Sequence, residues 1–325
     1  MEKTKDQVQQ EAVQAIVANH GKGLILAATG VGKSKIAIDY LVEFIRLVDQ
    51  ANYRFLIVVP TEKLRDNNWK DEFDKWNQTE LYNNNVETMC YASINKVDSQ
   101  VYDVVIFDEV HNITPLNAGF FRHNRCRSRV ALTATYPRDA EKQKLISERF
   151  GSIIYEVTLD EAVEWGLVAP YQINVVLTQL DSVTKSVAAG SKQKPFYTTE
   201  RSNYDYLSGQ ISSIEQKYLD MGIMFQAYWE SSDISRIKML RLQRMKQFAS
   251  SYTKGNVANY LLNKVVPQDD RTLVFCGSIE QAKSLSAYSF HSQGNDKAFN
   301  LFMNQEINRL ACVNKLNEGV NVPTV

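Results

Sequence analysis

The chain has 325 residues, 44% of them hydrophobic, and its 37 Lys and Arg residues are balanced by 37 Asp and Glu residues. This length suits two domains of roughly 150 residues each, and the zero net charge excludes nucleic-acid binding through bulk positive charge. The four cysteines form no Cys-x-x-Cys pair, which argues against a disulfide framework or a zinc site. The sequence shows no signal peptide and no apolar run long enough to span a bilayer, so we expect an intracellular enzyme.

Helical and strand patterns alternate over residues 1–160. A helical period covers residues 5–19, and an amphipathic helix is predicted over 64–76. Short apolar or β-branched strands are predicted at 24–26, 54–60, 86–92, 101–107 and 129–135. Strands alternating with helices favour a parallel sheet that binds ligands at its carboxyl edge.

A loop of small residues follows the first predicted strand and ends in Gly-Lys-Ser. Such a loop points backbone N–H groups at a polyphosphate, while its lysine reaches the β- and γ-phosphates and its hydroxyl holds Mg²⁺. A helical period follows, and a helix N-terminus favours anions. The predicted nucleotide-binding residues here are Ala28, Thr29, Gly30, Val31, Gly32, Lys33 and Ser34. The alternative is an ordinary strand–turn–helix with a surface lysine, and Ala27 stands where such loops usually carry glycine.

An apolar strand at 104–107 ends in two adjacent acids, Asp108 and Glu109. In phosphate-loop enzymes an acid at such a strand end holds the Mg²⁺ site together with the loop hydroxyl, here Ser34. A second acid beside it is placed to orient or deprotonate water. The alternative is that both carboxylates are simply solvated at an ordinary strand end. This alternative is less favoured because a phosphate loop lies upstream at a separation that fits one α/β domain.

The second half of the chain begins with a different pattern. Residues 182–194 are small and polar and predict a mobile loop, and helices are predicted from 204 to 266. A basic helix at 233–250 could grip a phosphate backbone, but a helical linker with a solvated face is favoured. Tyr228 and Trp229 could stack on bases, although a packed aromatic pair is favoured. A second α/β unit is predicted from 271, with strands at 271–276 and 307–314 and a helix at 278–288.

The sequence Asp-Glu-Val-His at 108–111 resembles the DExH box of superfamily 2 helicases and translocases. The other motifs of that superfamily follow the expected order: Gln9 resembles the upstream glutamine, and motifs Ia, Ib, III, IV and V resemble residues 58–64, 90–93, 132–135, 273–276 and 316–323. The chain is most similar to restriction-subunit and repair-type DNA motors, including phage-encoded ones. Residues 165–180 resemble the connector of those proteins.

The resemblance implies an α/β fold with two RecA-like parallel-sheet domains, the second incomplete, joined by a largely helical insertion. The implied boundaries are 1–168, 169–268 and 269–325. It also implies an ATP-dependent helicase or translocase, with DNA favoured over RNA, in which ATP hydrolysis in the interdomain cleft drives movement along the strand. Such a protein would use ATP and Mg²⁺ in the cytoplasm of a bacterial or phage-infected cell, close to the nucleoid.

Individual roles are carried over from the same resemblance. The implied catalytic residues are Lys33, Asp108, Glu109 and His111, with Ser34 and Asp108 at the metal. Gln9 would contact adenine, and Thr133 and Thr135 would couple the γ-phosphate to domain movement. The implied nucleic-acid contacts are Pro60, Thr61, Tyr91, Ser93, Gly319 and Asn321. Asn321 stands where the superfamily more often has aspartate.

The sequence ends at Val325, immediately after motif V, and contains no string like the Gln-x-x-Gly-Arg of motif VI. An arginine from that motif is worth roughly 10³–10⁵ in rate in related enzymes. We therefore expect a fragment that binds nucleotide but hydrolyses it poorly. Two other classes stay open: a non-catalytic nucleic-acid-binding or scaffolding protein that keeps the fold, and a phosphate-loop enzyme acting on protein, such as an unfoldase.

Overall fold

The computed structural model of the protein describes residues 2–50, 52–62, 64–96, 102–123, 126–191, 194–220, 232–249 and 251–313. The chain separates into two units, Met1–Ile173 and Asn174–Val325. The first unit contains the phosphate loop and both acids of the DExH box. The division at 168 and 268 that the resemblance implies stays a prediction.

The first unit is built on a six-stranded sheet in which every neighbouring pair runs parallel. Its strands are β1 (Lys22–Ala27), β2 (Phe55–Val59), β3 (Val86–Cys90), β4 (Tyr102–Asp108), β5 (Cys126–Thr133) and β6 (Ile153–Val157). Their order across the sheet is β3-β2-β4-β5-β1-β6. The parallel α/β architecture predicted for the first half of the chain is thereby confirmed.

Helices connect these strands and cover both faces of the sheet. They are α1 (Lys5–Ala18), α2 (Lys33–Leu47), α3 (Trp69–Lys75), α4 (Thr79–Asn85), α5 (Pro115–Ala118), α6 (Phe120–His123), α7 (Ala140–Phe150) and α8 (Leu159–Glu164). The amphipathic segment predicted at 64–76 forms a π-helical turn, Leu64–Asn68, that continues into α3.

The interior strand β2, next to the edge strand β3, shows why helices cover both faces of the sheet. All five of its residues are buried, and alternate side chains of a strand point to opposite faces. Phe55, Ile57 and Val59 therefore pack in the cluster that contains the buried residues of α1 and α2. Leu56 and Val58 pack in a second cluster with aromatic residues of β4 and α7. An unbroken apolar run of this kind is typical of a parallel strand buried on both sides.

The parallel arrangement brings the ends of the strands together at one edge. Leu26 of β1 is in register with Thr133, and Asp108 of β4 is in register with Leu132, so both flank the end of β5. The phosphate loop, the acid pair and Thr133 therefore meet at the carboxyl edge, where open α/β sheets bind their ligands.

The second unit begins with an antiparallel hairpin of β7 (Val187–Ser191) and β8 (Lys194–Thr198). The prediction of a mobile loop over 182–194 was therefore wrong for 187–191. The small residues of β7 pair with the β-forming residues of β8, which local composition could not reveal. Gly190 has φ 89° and leaves no space for a side chain, because an added Cβ would lie 2.4 Å from the Lys194 carbonyl oxygen.

Two long helices follow, α9 (Glu200–Asp220) and α10 (Ser232–Ala249), and the arginines of α10 turn toward α9. Arg236 donates to Gln210 at 3.0 Å, and Arg241 forms an ion pair with Glu215. Arg244 donates to Ser208 at 3.0 Å. These contacts engage the three arginines within the helix pair, and they support the interpretation of α10 as a helical linker rather than a helix that grips a phosphate backbone. Tyr228 and Trp229 lie outside the described residues.

The helix α11 (Tyr252–Tyr260) leads to a second parallel sheet of three strands. These are β9 (Thr272–Phe275), β10 (Ser289–Phe290) and β11 (Arg309–Cys312), in the order β10-β11-β9, with helices α12 (Ile279–Leu285) and α13 (Lys297–Met303) between them. The predicted second α/β unit is confirmed up to residue 313, and motif V lies outside the described residues. Within the described ranges, no helix has the length and apolar character needed to cross a membrane.

Candidate functional site

The phosphate loop spans the five residues between β1 and α2. Gly30 and Gly32 both adopt positive φ, 92° and 100°, a conformation that side-chain-bearing residues rarely take. The loop is anchored by the Ala28 amide, which donates to the Val157 carbonyl at 3.0 Å. The loop passes directly into the first turn of α2, and the N-terminus of a helix favours a bound anion.

Gln9 of α1 supports the loop from behind. It is only 4% exposed, and its amide nitrogen donates to the Val31 carbonyl at 2.9 Å. A Cβ added at Gly32 would lie 2.3 Å from the same nitrogen. The loop conformation thus depends on Gln9 as well as on its own glycines. The adenine contact implied for Gln9 stays a prediction.

Lys33 connects the loop to the acid pair. Its side chain is 11% exposed, with Nζ 3.8 Å from Glu109 Oε1 and donating to the Ala27 carbonyl at 3.4 Å. Both distances are long for strong bonds to an ammonium group. The charge of Lys33 is therefore held at the loop without being closely neutralised, as an anion-binding lysine requires. Ser34 follows it in the half-buried first turn of α2.

Asp108 ends β4, and its side chain is half-buried. Burial, followed by the nearby charge of Glu109, raises its pKa to about 7, although Lys33 and hydrogen bonds from the Glu109 backbone and the Trp69 side chain oppose the shift. A buried carboxylate of this kind is stabilised in its ionised form by a cation next to it. The residues at this edge, Asp108 and the Ser34 hydroxyl, fit a hard cation such as Mg²⁺ that keeps most of its ligands as water and phosphate.

Glu109 lies in a hydrogen-bonded group with His111 and Thr133. Its Oε2 is 3.4 Å from His111 Nδ1 and accepts from Thr133 Oγ1 at 3.3 Å. His111 Nδ1 is also 3.0 Å from Thr133 Oγ1. Burial alone would raise the pKa of Glu109, but the hydrogen bond from His111 and the charge of Lys33 outweigh it, so the pKa lies below its usual value. Glu109 is therefore ionised at neutral pH and can accept a proton or orient water.

The two threonines implied as coupling residues are joined at the end of β5. The Thr135 amide donates to Thr133 Oγ1 at 3.1 Å. The Thr135 carbonyl lies 3.0 Å from the same oxygen and competes with Glu109 for its single proton. Thr133 is fully buried, whereas Thr135 is exposed. The Thr133 hydroxyl thus connects Glu109 with the exposed backbone at Thr135.

The implied nucleic-acid residues divide into two groups. Pro60, Thr61 and Ser93 are half-buried at the carboxyl edge, where a ligand could reach them. Tyr91 is 6% exposed, and its hydroxyl donates to the Asp108 carbonyl. Its side chain therefore faces the interior, and the nucleic-acid contact implied for Tyr91 stays a prediction. Gly319 and Asn321 lie outside the described residues.

Sequence reasoning missed two residues that contact this site. Asn117 is buried and donates to the Tyr91 carbonyl at 2.7 Å, and the Trp69 side chain lies close enough to the Asp108 carboxylate to lower its pKa. Trp69 looked like an ordinary core residue because it lies at helical spacing. Asn117 had one available signal: it occupies the third position after Thr114, the spacing of a capping box.

Comparison with known proteins agrees with the sequence motifs. Residues 2–138 match the sequence profile of the family described as the type III restriction enzyme res subunit. The chain is 21% identical over 339 residues to the DNA 3'-5' translocase XPB2 of Sulfurisphaera tokodaii, an alignment that covers 97% of this chain and 72% of that protein.

Solved structures share the fold at lower identity. The Pyrococcus furiosus Hef helicase domain aligns with a TM-score of 0.50 at 13% identity, over 97% of this chain and 87% of its own. The ATP-dependent type ISP restriction-modification enzyme LlaBIII bound to DNA gives 0.57 at 15% identity, over 99% of this chain and 25% of its own. A putative HsdR subunit of a type I restriction enzyme from Vibrio vulnificus YJ016 gives 0.52 at 17% identity, over 98% of this chain and 55% of its own.

Three observations agree with the match of residues 2–138 to a restriction-subunit family. They are the order of the motifs, the parallel sheet and the similarity to a translocase. With the phosphate loop and the DExH acids meeting at one sheet edge, these findings show that residues 2–138 carry a domain of the restriction-subunit family and that the chain is similar to superfamily 2 helicases and translocases.

Proposed function

We propose that the protein binds ATP with Mg²⁺ at the carboxyl edge of the first sheet and uses its hydrolysis to move along nucleic acid, with DNA as the favoured substrate. The observation that carries the proposal is the approach of Lys33 to within 3.8 Å of Glu109. A lysine and a carboxylate that is ionised at neutral pH, held this close together, support a site in which one binds the phosphates and the other acts on water.

Each residue then has a defined task. The loop amides and Lys33 bind the β- and γ-phosphates, and Ser34 and Asp108 hold the metal. When bound, Mg²⁺ neutralises the charge that develops on the phosphate oxygens. Glu109 orients water and accepts its proton. The hydrogen bonds of Glu109 to His111 and Thr133 transmit the state of the γ-phosphate to residues beyond β5.

DNA is favoured over RNA because of the relatives. XPB2 is described as a DNA translocase, and LlaBIII was solved bound to DNA. In this chain the residues available for the same purpose are Pro60, Thr61 and Ser93, which lie at one sheet edge and are partly accessible. Contacts from such positions would go to the sugar-phosphate backbone, which carries no sequence information by itself.

The test is an ATPase assay with and without forked DNA, duplex DNA and RNA, together with nucleotide affinity measured by a fluorescent ATP analogue. Lys33→Ala should abolish nucleotide binding, because no other group in the loop supplies the positive charge. Lys35→Ala is the matched control, since it removes a lysine two residues away that pairs with Asp39 instead.

Unchanged affinity in Lys33→Ala would reject the phosphate-loop assignment. Nucleotide binding with DNA binding but no turnover in any mixture would instead support the alternative, a non-catalytic nucleic-acid-binding or scaffolding protein. Stimulation by RNA and not by DNA would reject the favoured substrate.

A further inference from the structure

The hydroxyl of Tyr91 is used inside the protein, next to the candidate metal site. Tyr91 follows β3, and its hydroxyl donates to the main-chain carbonyl of Asp108 at 2.9 Å. Its ring packs edge-on against Phe107, with centroids 5.5 Å apart and planes at 76°. Tyr91 therefore touches the last two residues of β4, one through its ring and one through its oxygen.

The position of this hydrogen bond explains what it does. The pairing of β2 with β4 extends from Phe55–Val104 to Val58–Phe107, whereas the pairing of β4 with β5 continues to Asp108. Asp108 thus lies one residue past the end of the ladder on the β2 side. A carbonyl shielded from water is costly without a donor, and the Tyr91 hydroxyl supplies a donor to the half-buried Asp108 where the register with β2 ends.

The backbone of Tyr91 is itself held by two hydrogen bonds. Its amide donates to the Val59 carbonyl at 3.1 Å, and its carbonyl accepts from Asn117 Nδ2 at 2.7 Å. Asn117 is oriented in turn by Thr114, whose amide donates to Asn117 Oδ1 at 3.1 Å. The hydroxyl therefore reaches Asp108 from a backbone that is fixed on both sides.

We propose that Tyr91 is a positioning residue for Asp108, which fixes the main chain at the end of β4 so that the carboxylate meets the nucleotide-bound metal. The inference rests on the proposed function, because it takes Asp108 as a residue of the Mg²⁺ site. Groups that orient a metal-binding residue affect metal affinity strongly even though they do not touch the metal. Ser93, a predicted nucleic-acid contact, lies two residues further along the same segment. Tyr91 therefore also connects the position of Ser93 with that of Asp108.

The test is Tyr91→Phe in the full chain, which removes one oxygen atom and keeps the ring. The affinity for a fluorescent ATP analogue is measured in Mg²⁺ and in EDTA. We expect the EDTA value to be unchanged and the gain in affinity from Mg²⁺ to fall by about tenfold, the lower end of the effect of losing an orienting partner. Asn117→Asp, which removes the donor to Tyr91 and keeps the acceptor for Thr114, should reduce the same gain by a smaller factor.

Tyr40→Phe is the matched control, since Tyr40 also donates a buried hydroxyl hydrogen bond, to Ser128 at 2.7 Å near the start of β5. Equal losses in Tyr91→Phe and Tyr40→Phe would overturn the inference, as would a wild-type Mg²⁺ gain in Tyr91→Phe. Asp108→Asn separates this result from the proposed function. If Asp108→Asn abolishes the Mg²⁺ gain while Tyr91→Phe keeps it, only the role of Tyr91 is rejected, whereas a wild-type Mg²⁺ gain in Asp108→Asn rejects the metal site itself.

Discussion

Glu109 adopts a left-handed backbone conformation, φ 49° and ψ 55°, in the turn that follows β4. Such a conformation costs a side-chain-bearing residue of order 1–3 kcal/mol and persists only where its surroundings enforce it. Here the surroundings are the contacts of its carboxylate with Lys33, His111 and Thr133. The turn lets two consecutive acids serve different purposes, one ending the strand and one reaching across to the lysine.

Glu109→Gln should keep nucleotide binding and lose turnover, because the amide is nearly isosteric but accepts no proton at neutral pH. A positioned base contributes about 10²–10⁴ in rate, and steady-state ATPase rates at saturating ATP measure the loss. Glu148→Gln, an exposed position in α7, is the control and should turn over at the wild-type rate. Normal turnover in Glu109→Gln would exclude Glu109 as the base.

Gly32→Ala tests the contact between the phosphate loop and α1. The new Cβ meets both a positive φ and the Gln9 amide nitrogen at 2.3 Å, so we expect weaker nucleotide binding and a loss of about 2–4 kcal/mol in the free energy of unfolding. Urea denaturation and analogue binding measure the two effects.

Gly151→Ala separates backbone strain from the steric clash, because Gly151 has φ 95° and no atom within 4 Å of an added Cβ. It should cost about 1–3 kcal/mol from backbone strain alone, less than Gly32→Ala. Adding Gln9→Ala to Gly32→Ala should recover part of the loss. A Gly32→Ala variant as stable as Gly151→Ala would show that Gln9 does not support the loop.

At the scale of secondary-structure elements, Glu200 joins three parts of the second unit at the start of α9. It is fully buried and accepts from the Asp181 amide at 3.1 Å and from Thr253 Oγ1 at 2.6 Å. Its own carbonyl accepts from Gln247 at 2.7 Å. Burial by itself raises the pKa of Glu200, but hydrogen bonds from Thr253 and Ser251 outweigh it and leave the pKa below its usual value.

Glu200→Gln should destabilise the second unit by about 2–3 kcal/mol at neutral pH, because its NH₂ group would face donors that need an acceptor. Since the folded pKa is lowered, the wild-type carboxylate contributes stability above its ordinary pKa of 4.5 and loses it as the pH falls through the folded value. Urea denaturation between pH 7 and pH 3 measures both effects.

The control for Glu200 is Glu215→Gln on the same helix, where an ion pair with Arg241 is more than a third exposed on both sides. An exposed pair of this kind is worth less than about 1 kcal/mol. The difference in stability between wild type and Glu200→Gln should shrink as the pH falls. A constant difference, or equal effects at the two positions, would show that the charge of Glu200 is not what holds these elements together.

At the scale of the whole molecule, the charge balance of 37 basic and 37 acidic residues leaves no general attraction for nucleic acid. Binding must then come from local phosphate contacts, each of which releases counterions. We expect the logarithm of DNA affinity to fall linearly with the logarithm of salt concentration, with a slope of about −0.9 for each phosphate contacted.

Fluorescence anisotropy with DNA duplexes of unrelated sequence, titrated at several salt concentrations, measures this slope. The duplexes should bind with similar affinity, because backbone contacts carry no sequence information. An affinity that does not change with salt concentration, or that differs strongly among the duplexes, would contradict binding through the DNA sugar-phosphate backbone.

The sequence by itself determined the features that depend on neighbouring residues. A buried β-branched strand predicts a parallel sheet, and a Gly-Lys-Ser loop before a helix predicts a phosphate site, because each follows from local backbone preference and periodicity. For the same reason Lys33, Asp108 and Glu109 could be named before their distances were known.

Only the tertiary structure decided which residues support that site. Gln9 behind the loop, Tyr91 beneath Asp108 and the pairing of β7 with β8 all depend on contacts that no local pattern records. Gln9 and Val31 are 22 residues apart, and Tyr91 and Asp108 are 17 apart. The hydrogen-bond partner of a buried polar group comes from the chain segment that packs against it. Which segment this is depends on how the sheet and its helices pack together.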